Sequence, residues 1–190
     1  MSLKSLEEKI ARDLAMLNYP PKPRRFEDED ILDAAVIGGG MAGLSAAFAL
    51  LRQGVSKIRV FDENEEGKEG PWATYARMRT LRSPKQWMGP ALGVPSLTFQ
   101  SWFEAQHGTA EWETLGKIPR LQWMDYLKWY RKILQLPVQS QSKVLSIAPE
   151  KKGLKVVLSN ETVLAHKVVL ATGRSGFGGT GNPRIHPENP

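Results

Sequence analysis

Ala35-Val36-Ile37-Gly38-Gly39-Gly40-Met41-Ala42-Gly43-Leu44-Ser45-Ala46-Ala47 reads as an apolar strand that turns through glycines straight into a helix. Three of those glycines fall at GxGxxG spacing, and each has a task. Gly38 permits the tight bend, Gly40 lets backbone approach a pyrophosphate with no Cβ in the way, and Gly43 lets helix and strand pack closely. The N–H groups that open the helix, from Met41 and Ala42 onward, carry the positive end of its dipole and face the anion. The stretch predicts a cradle for a dinucleotide diphosphate.

Residues 33–37 supply the strand, and 44–51 continue the helix until it stops near Gly54. A second strand, Ile58-Arg59-Val60-Phe61, ends at Asp62, 19 residues beyond Gly43. A carboxylate there can accept both hydroxyls of an adenosine ribose, and it repels a 2′-phosphate. The chain holds a second GxGxxG match, Gly176-Phe177-Gly178-Gly179-Thr180-Gly181, which runs into Asn182-Pro183. Proline removes a donor and turns the preceding residue away from helix, so that match reads as a glycine-rich loop.

With 190 residues, 41% of them hydrophobic, the chain can core one α/β domain. That domain is expected over 30–190. Before it, Leu3, Leu6, Ile10, Leu14 and Leu17 fall at helical spacing and Tyr19-Pro20-Pro21-Lys22-Pro23 reads as a stiff linker, so 1–29 form an amphipathic helix and its tether. The absence of cysteine excludes a disulfide scaffold, a thiolate zinc site and a Cys nucleophile. No apolar run reaches membrane-span length and no signal-peptide core is evident, so neither a membrane nor an export route is expected and the cytoplasm is the default. The net charge of +6 comes from scattered residues apart from Lys22-Pro23-Arg24-Arg25 and the group Arg77, Arg79, Arg82 and Lys85, with no basic helical stripe. Nucleic acid is therefore not an expected partner. His107, His166 and His186 stand apart from one another and from carboxylate clusters, so no metal is expected.

Past Asp62, residues 63–70 are polar and loop-like, and Gly70-Pro71-Trp72 opens a stretch to Lys85 without strong periodicity. Long stretches of this kind in compact domains tend to contact ligands. Helices are expected over 97–106 and 121–134, the second presenting Leu121, Met124, Leu127, Tyr130 and Leu134 on one face. Trp87, Trp102, Trp112, Trp123 and Trp129 sit in or beside apolar helices and are expected to pack. Strands over 144–148, 154–158 and 162–165, joined by turn sequences, read as an antiparallel meander. A separate core strand over 167–170 follows and ends in Ala171-Thr172-Gly173.

This order of strand-GGGMAG-helix, acidic strand end, Gly-Pro-Trp loop, meander and VVLATG resembles the FAD-binding domain of two-dinucleotide flavoproteins. The resemblance implies a Rossmann-like FAD/NAD(P)-binding α/β fold: a central parallel sheet with helices and an antiparallel β-meander. It also implies FAD as cofactor, with Ala171, Thr172 and Gly173 touching it from the sheet edge and Val144, at the head of the meander, beside it. Gly70-Pro71-Trp72 looks like the GGxW loop of flavin-containing and Baeyer–Villiger monooxygenases and N-hydroxylases, with proline in place of the second glycine. By that resemblance Trp72 lies near the flavin, and Arg82 and Ser83 near its ring or ribityl chain, although a core anchor is an equal reading of Trp72. The implied parent uses NADPH, an FAD C4a-hydroperoxide and a small-molecule substrate, can pair as a homodimer, and carries a second, NADPH-binding domain that this chain lacks. Two alternatives stand beside this reading. One is a flavoprotein oxidase or reductase of another branch; the other is a module that binds FAD or another adenine dinucleotide without turnover.

Overall fold

The computed structural model describes residues 1–22 and 30–173. Helix α1 (Leu3–Met16) starts where the Ser2 hydroxyl accepts the Ser5 N–H at 3.2 Å. It buries Leu6, Ile10 and Leu14 in the same core as the sheet's helical face, each side chain contributing about 1.5–3 kcal/mol.

The strands are β1 (Leu32–Ile37), β2 (Ile58–Phe61), β3 (Val138–Gln139), β4 (Val144–Glu150), β5 (Gly153–Leu158) and β6 (Thr162–Leu170). They form one sheet in the order β3-β2-β1-β6-β5-β4. The first four in that order pair in parallel, while β4, β5 and β6 are antiparallel. Val36 of the central strand lies opposite Val60 on one side and Val169 on the other. Ala34 and Val36 face the helices, whereas Ala35 and Ile37 join Phe61, Val156, Leu158 and Ala165 on the opposite face. Burial on both faces is why β1 reads as an unbroken apolar run.

Helix α2 (Met41–Arg52) links β1 to β2 and lays Leu44, Ala47 and Phe48 on the core. Helix α3 (Phe99–His107), the short α4 (Thr109–Thr114) and α5 (Arg120–Ile133) complete that layer. Inside it, the Tyr126 hydroxyl donates to the Leu97 carbonyl at 2.7 Å and the Tyr130 hydroxyl to the Pro90 carbonyl at 2.6 Å. Among the described residues, no helix is long and apolar enough to cross a membrane.

Four expectations are corrected. The strand expected over 162–165 and the one expected over 167–170 are a single strand, β6. Nothing between them breaks extended backbone, and Ala165 pairs with Leu154 of β5 on one side and Leu32 of β1 on the other. The helix expected to begin at Leu97 begins at Phe99, because Thr98 Oγ1 caps it by accepting the Ser101 N–H while Leu97 closes a 3₁₀ turn, Pro95–Leu97. Leu121 is 54% exposed, its place in the core taken by Trp123, Tyr126 and Trp129 from the adjoining stripe of α5. Trp87 is 67% exposed, in the loop before the Gly89–Ala91 turn rather than on a helix; the other four tryptophans expected to pack are buried.

Candidate dinucleotide site

The glycines of the turn are not equivalent. Gly38 has φ +105°, and a Cβ on it would stand 2.5 Å from the carbonyl oxygen of Ala171. A Cβ on Gly43 would stand 1.8 Å from the Gly38 oxygen. Both are glycine because the protein's own backbone occupies the space, and the first contact ties the turn to the Ala171-Thr172-Gly173 strand exit. That exit leaves β6 beside β1, with the Ala171 N–H donating to the Ile37 carbonyl at 2.8 Å. Gly40 differs. Its φ of −70° and ψ of −176° suit any residue, and among the described residues a Cβ there would meet only Gly70, at 3.5 Å from its Cα. The packing of the described residues does not ask for glycine at position 40.

Gly40 is also the N-cap of α2. It supplies no side-chain cap, and the first turn has no acidic residue, while Met41 and Ala42 are exposed. The opening N–H groups of α2 therefore lack a carboxylate acceptor within their own turn, which leaves the dipole's positive end open to an external anion.

Asp62 follows β2 and is only 6% exposed. Its Oδ2 accepts the Gly39 N–H at 2.6 Å, and its Oδ1 accepts the Asn64 backbone N–H at 2.9 Å and side-chain amide at 3.0 Å. A carboxylate offers about four acceptor directions. With three used inside the protein, one direction, on Oδ2, is left. The Ser142 N–H donates to the Asp62 carbonyl at 2.7 Å and the Gln141 N–H to the Asn64 carbonyl at 2.9 Å. These bonds bring the half-buried Val144, at the head of β4, to the same corner.

The Gly-Pro-Trp loop approaches the turn at Gly70, whose Cα faces the position a Cβ on Gly40 would take. Trp72 meets Trp123 edge-on, with centroids 6.3 Å apart, and its carbonyl accepts the Arg120 guanidinium. It packs against the helix-side core, and its indole N–H is buried with no acceptor among the described residues. Arg82 is exposed and Ser83 half-buried. Their loop is pinned to α5's approach by Leu81 N–H to Ile118 carbonyl at 2.8 Å and Arg120 N–H to Arg79 carbonyl at 3.0 Å. Lys85 is held at α4, its ammonium 4.5 Å over the Trp112 ring.

One pair at the site has no local signal in the sequence. Glu69, 4% exposed, meets Arg131 of α5 at 2.8 Å across 62 residues of chain. Burial pushes the Glu69 carboxyl above its usual range, against hydrogen bonds from the loop backbone and the pull of Arg131. The expected glycine-rich loop at 176–181, and His186, lie outside the described residues. Among the described residues no cluster of His, Cys, Asp and Glu could hold a metal ion.

The FAD-NAD(P)-binding family profile matches residues 35–175, which run from β1 through Asp62, the Gly-Pro-Trp loop and the meander to the strand exit. An FAD-dependent urate hydroxylase of Xanthomonas campestris is 46% identical over 185 residues, covering 94% of this chain and 39% of that protein. A CzcO-like oxidoreductase of Geobacillus kaustophilus is 27% identical over 146 residues, covering 76% of this chain and 37% of its own length. A flavin-containing monooxygenase structure from Stenotrophomonas maltophilia superposes with a TM-score of 0.57 at 28% identity, over 76% of this chain and 39% of that one. The ornithine N-hydroxylase of Kutzneria, at 21% identity and a TM-score of 0.59 over 74% of this chain and 37% of that one, shares the fold. The chain thus spans about two-fifths of the length of the relatives it matches. It is an FAD-NAD(P)-binding domain and belongs to that family.

Proposed function

We propose that this chain is the FAD-binding portion of an NAD(P)H-dependent monooxygenase. The observation that carries the reading is Gly40: a glycine required neither by its backbone angles nor by its neighbours among the described residues, at the uncapped start of α2. The diphosphate would lie there, on the first N–H groups of the helix, and Asp62 Oδ2 would accept one hydroxyl of the adenosine ribose. The head of β4 at Val144 would flank the adenosine, and Ala171-Thr172-Gly173 would bound the dinucleotide from the end of β6. When bound, FAD would supply the redox chemistry that links NAD(P)H and dioxygen to insertion of one oxygen atom into an organic substrate, the other leaving as water. The chain's own part is to bind and orient the cofactor. The 46% identity with a urate hydroxylase supports a purine as the substrate class, and the cytoplasm is the compartment this reading assigns.

Purified chain is mixed with excess FAD, or separately with excess NAD⁺, and desalted. Retention of about one FAD per chain with its visible spectrum is expected, without retention of NAD⁺. Retention of NAD⁺ alone would overturn the FAD assignment. For the whole protein, urate-dependent oxidation of NAD(P)H tests the purine assignment, and its absence would overturn that part.

A further inference from the structure

Arg131, in the last turn of α5, closes the far side of the glycine turn. Its side chain is 18% exposed, and the guanidinium donates through Nη1 to Glu69 Oε1 at 2.8 Å and through Nη2 to the Val138 carbonyl at 2.9 Å. Glu69 uses its other oxygen to accept the Gly67 N–H at 2.8 Å.

Both residues held by that fork also wall in Gly39. A Cβ on Gly39 would meet Val138 Cγ1 at 3.1 Å, Asp62 Cβ at 3.2 Å and Glu69 Cγ at 3.2 Å. The residue after Glu69 is Gly70, whose Cα would lie 3.5 Å from a Cβ on Gly40. A single side chain on a distant helix thus holds two of the three walls around the middle glycine, and the base of the loop that faces Gly40. Its planar fork matters, because an ammonium is a point charge that cannot reproduce two fixed donors. Without its cation, Glu69 would be a buried carboxylate left uncompensated, which proteins avoid by shifting structure or by taking up a proton.

We propose that Arg131 is a positioning residue of the dinucleotide site, keeping the glycine turn in its cofactor-binding shape through Glu69 and Val138. This inference rests on the FAD reading above. The test is FAD titration, by flavin fluorescence, of the parent chain, Arg131→Met, Arg131→Lys, the double variant Arg131→Met/Glu69→Met, and Leu6→Ala as a control for stability alone. All are measured at a temperature where circular dichroism shows them folded. Arg131→Met is expected to weaken FAD binding about tenfold or more and to alter the visible circular dichroism of the bound flavin. Arg131→Lys should recover only part of the loss, and the double variant should bind no worse than Arg131→Met, since the two groups act as one unit. Leu6→Ala should lower the melting temperature and leave FAD affinity within about twofold. A folded Arg131→Met with parental affinity and flavin spectrum would overturn the proposal; if that variant does not fold, parental affinity in Arg131→Lys would do so. A parent chain that takes up no FAD would overturn the FAD reading itself.

Discussion

The carboxylate of Asp62 and the amide of Gly39, 23 residues apart in sequence, meet in a buried hydrogen bond of 2.6 Å. The end of β2 is thereby fastened to the glycine turn by the protein alone. A site already held in shape loses less conformational freedom when its ligand arrives.

Asp62→Ala should act twice. Loss of a charge-assisted acceptor for the ribose should weaken FAD binding by about 1.5–3 kcal/mol. The Gly39 and Asn64 N–H groups would also lose their acceptor in a buried corner, at a cost to stability of about 1–3 kcal/mol. Calorimetric titration and thermal melting read the two effects separately. Unchanged affinity with a lowered melting temperature would leave Asp62 a purely structural residue.

The three motif glycines should separate by readout. Gly43→Ala and Gly38→Ala each drive a Cβ into backbone, at 1.8 Å and 2.5 Å, and should destabilise the fold by about 1–3 kcal/mol or more. Gly40→Ala meets only an ordinary 3.5 Å contact and should leave stability within about 0.5 kcal/mol. Thermal denaturation of the three variants checks this. A Gly40→Ala chain as unstable as Gly43→Ala would mean that position 40 is glycine for packing after all.

Acid should loosen the clamp between the meander and the parallel strands. Arg59 donates to both oxygens of Glu161, at 2.9 and 2.6 Å, and Gln139 donates to the same carboxylate at 2.8 Å. The hydrogen bond from Arg59, then that from Gln139, holds Glu161 below its ordinary 4.5. A depressed carboxyl contributes stability that is fully present above its unfolded value and is lost as pH falls through the folded one. The pair is about a third exposed, so the contribution is modest and screened by salt. Melting temperature should therefore fall more steeply below about pH 4.5 in the parent than in Glu161→Gln, and the two curves should converge in acid. Parallel curves would deny the clamp any role.

What the sequence disclosed follows the range of the forces involved. The β1-turn-α2 unit, β2 and Asp62 were legible because glycine spacing and a continuous apolar run encode them locally. The two-residue β3 exists only through its pairing with β2, and no local pattern announces it. Strand β6 reads in sequence as two short strands, yet its backbone runs unbroken from Thr162 to Leu170, pairing with β5 along its first half and with β1 from Ala165 onward. Glu69 sits in a stretch rich in charge that reads as a solvated loop; its burial is decided by Arg131, far away on α5. Trp72 reads equally as a cofactor neighbour and a core anchor, and its edge-on contact with Trp123 places it on the core while leaving its N–H without an acceptor among the described residues.

The most direct test of the account is calorimetric titration of FAD into the parent chain and Gly40→Val, with circular dichroism verifying the fold of both. Valine at position 40 would stand where the diphosphate is expected to run. The account predicts saturable binding of one FAD per parent chain and a loss of about tenfold or more in the variant, roughly 1.4 kcal/mol or greater. A folded Gly40→Val chain that binds FAD as tightly as the parent would contradict it.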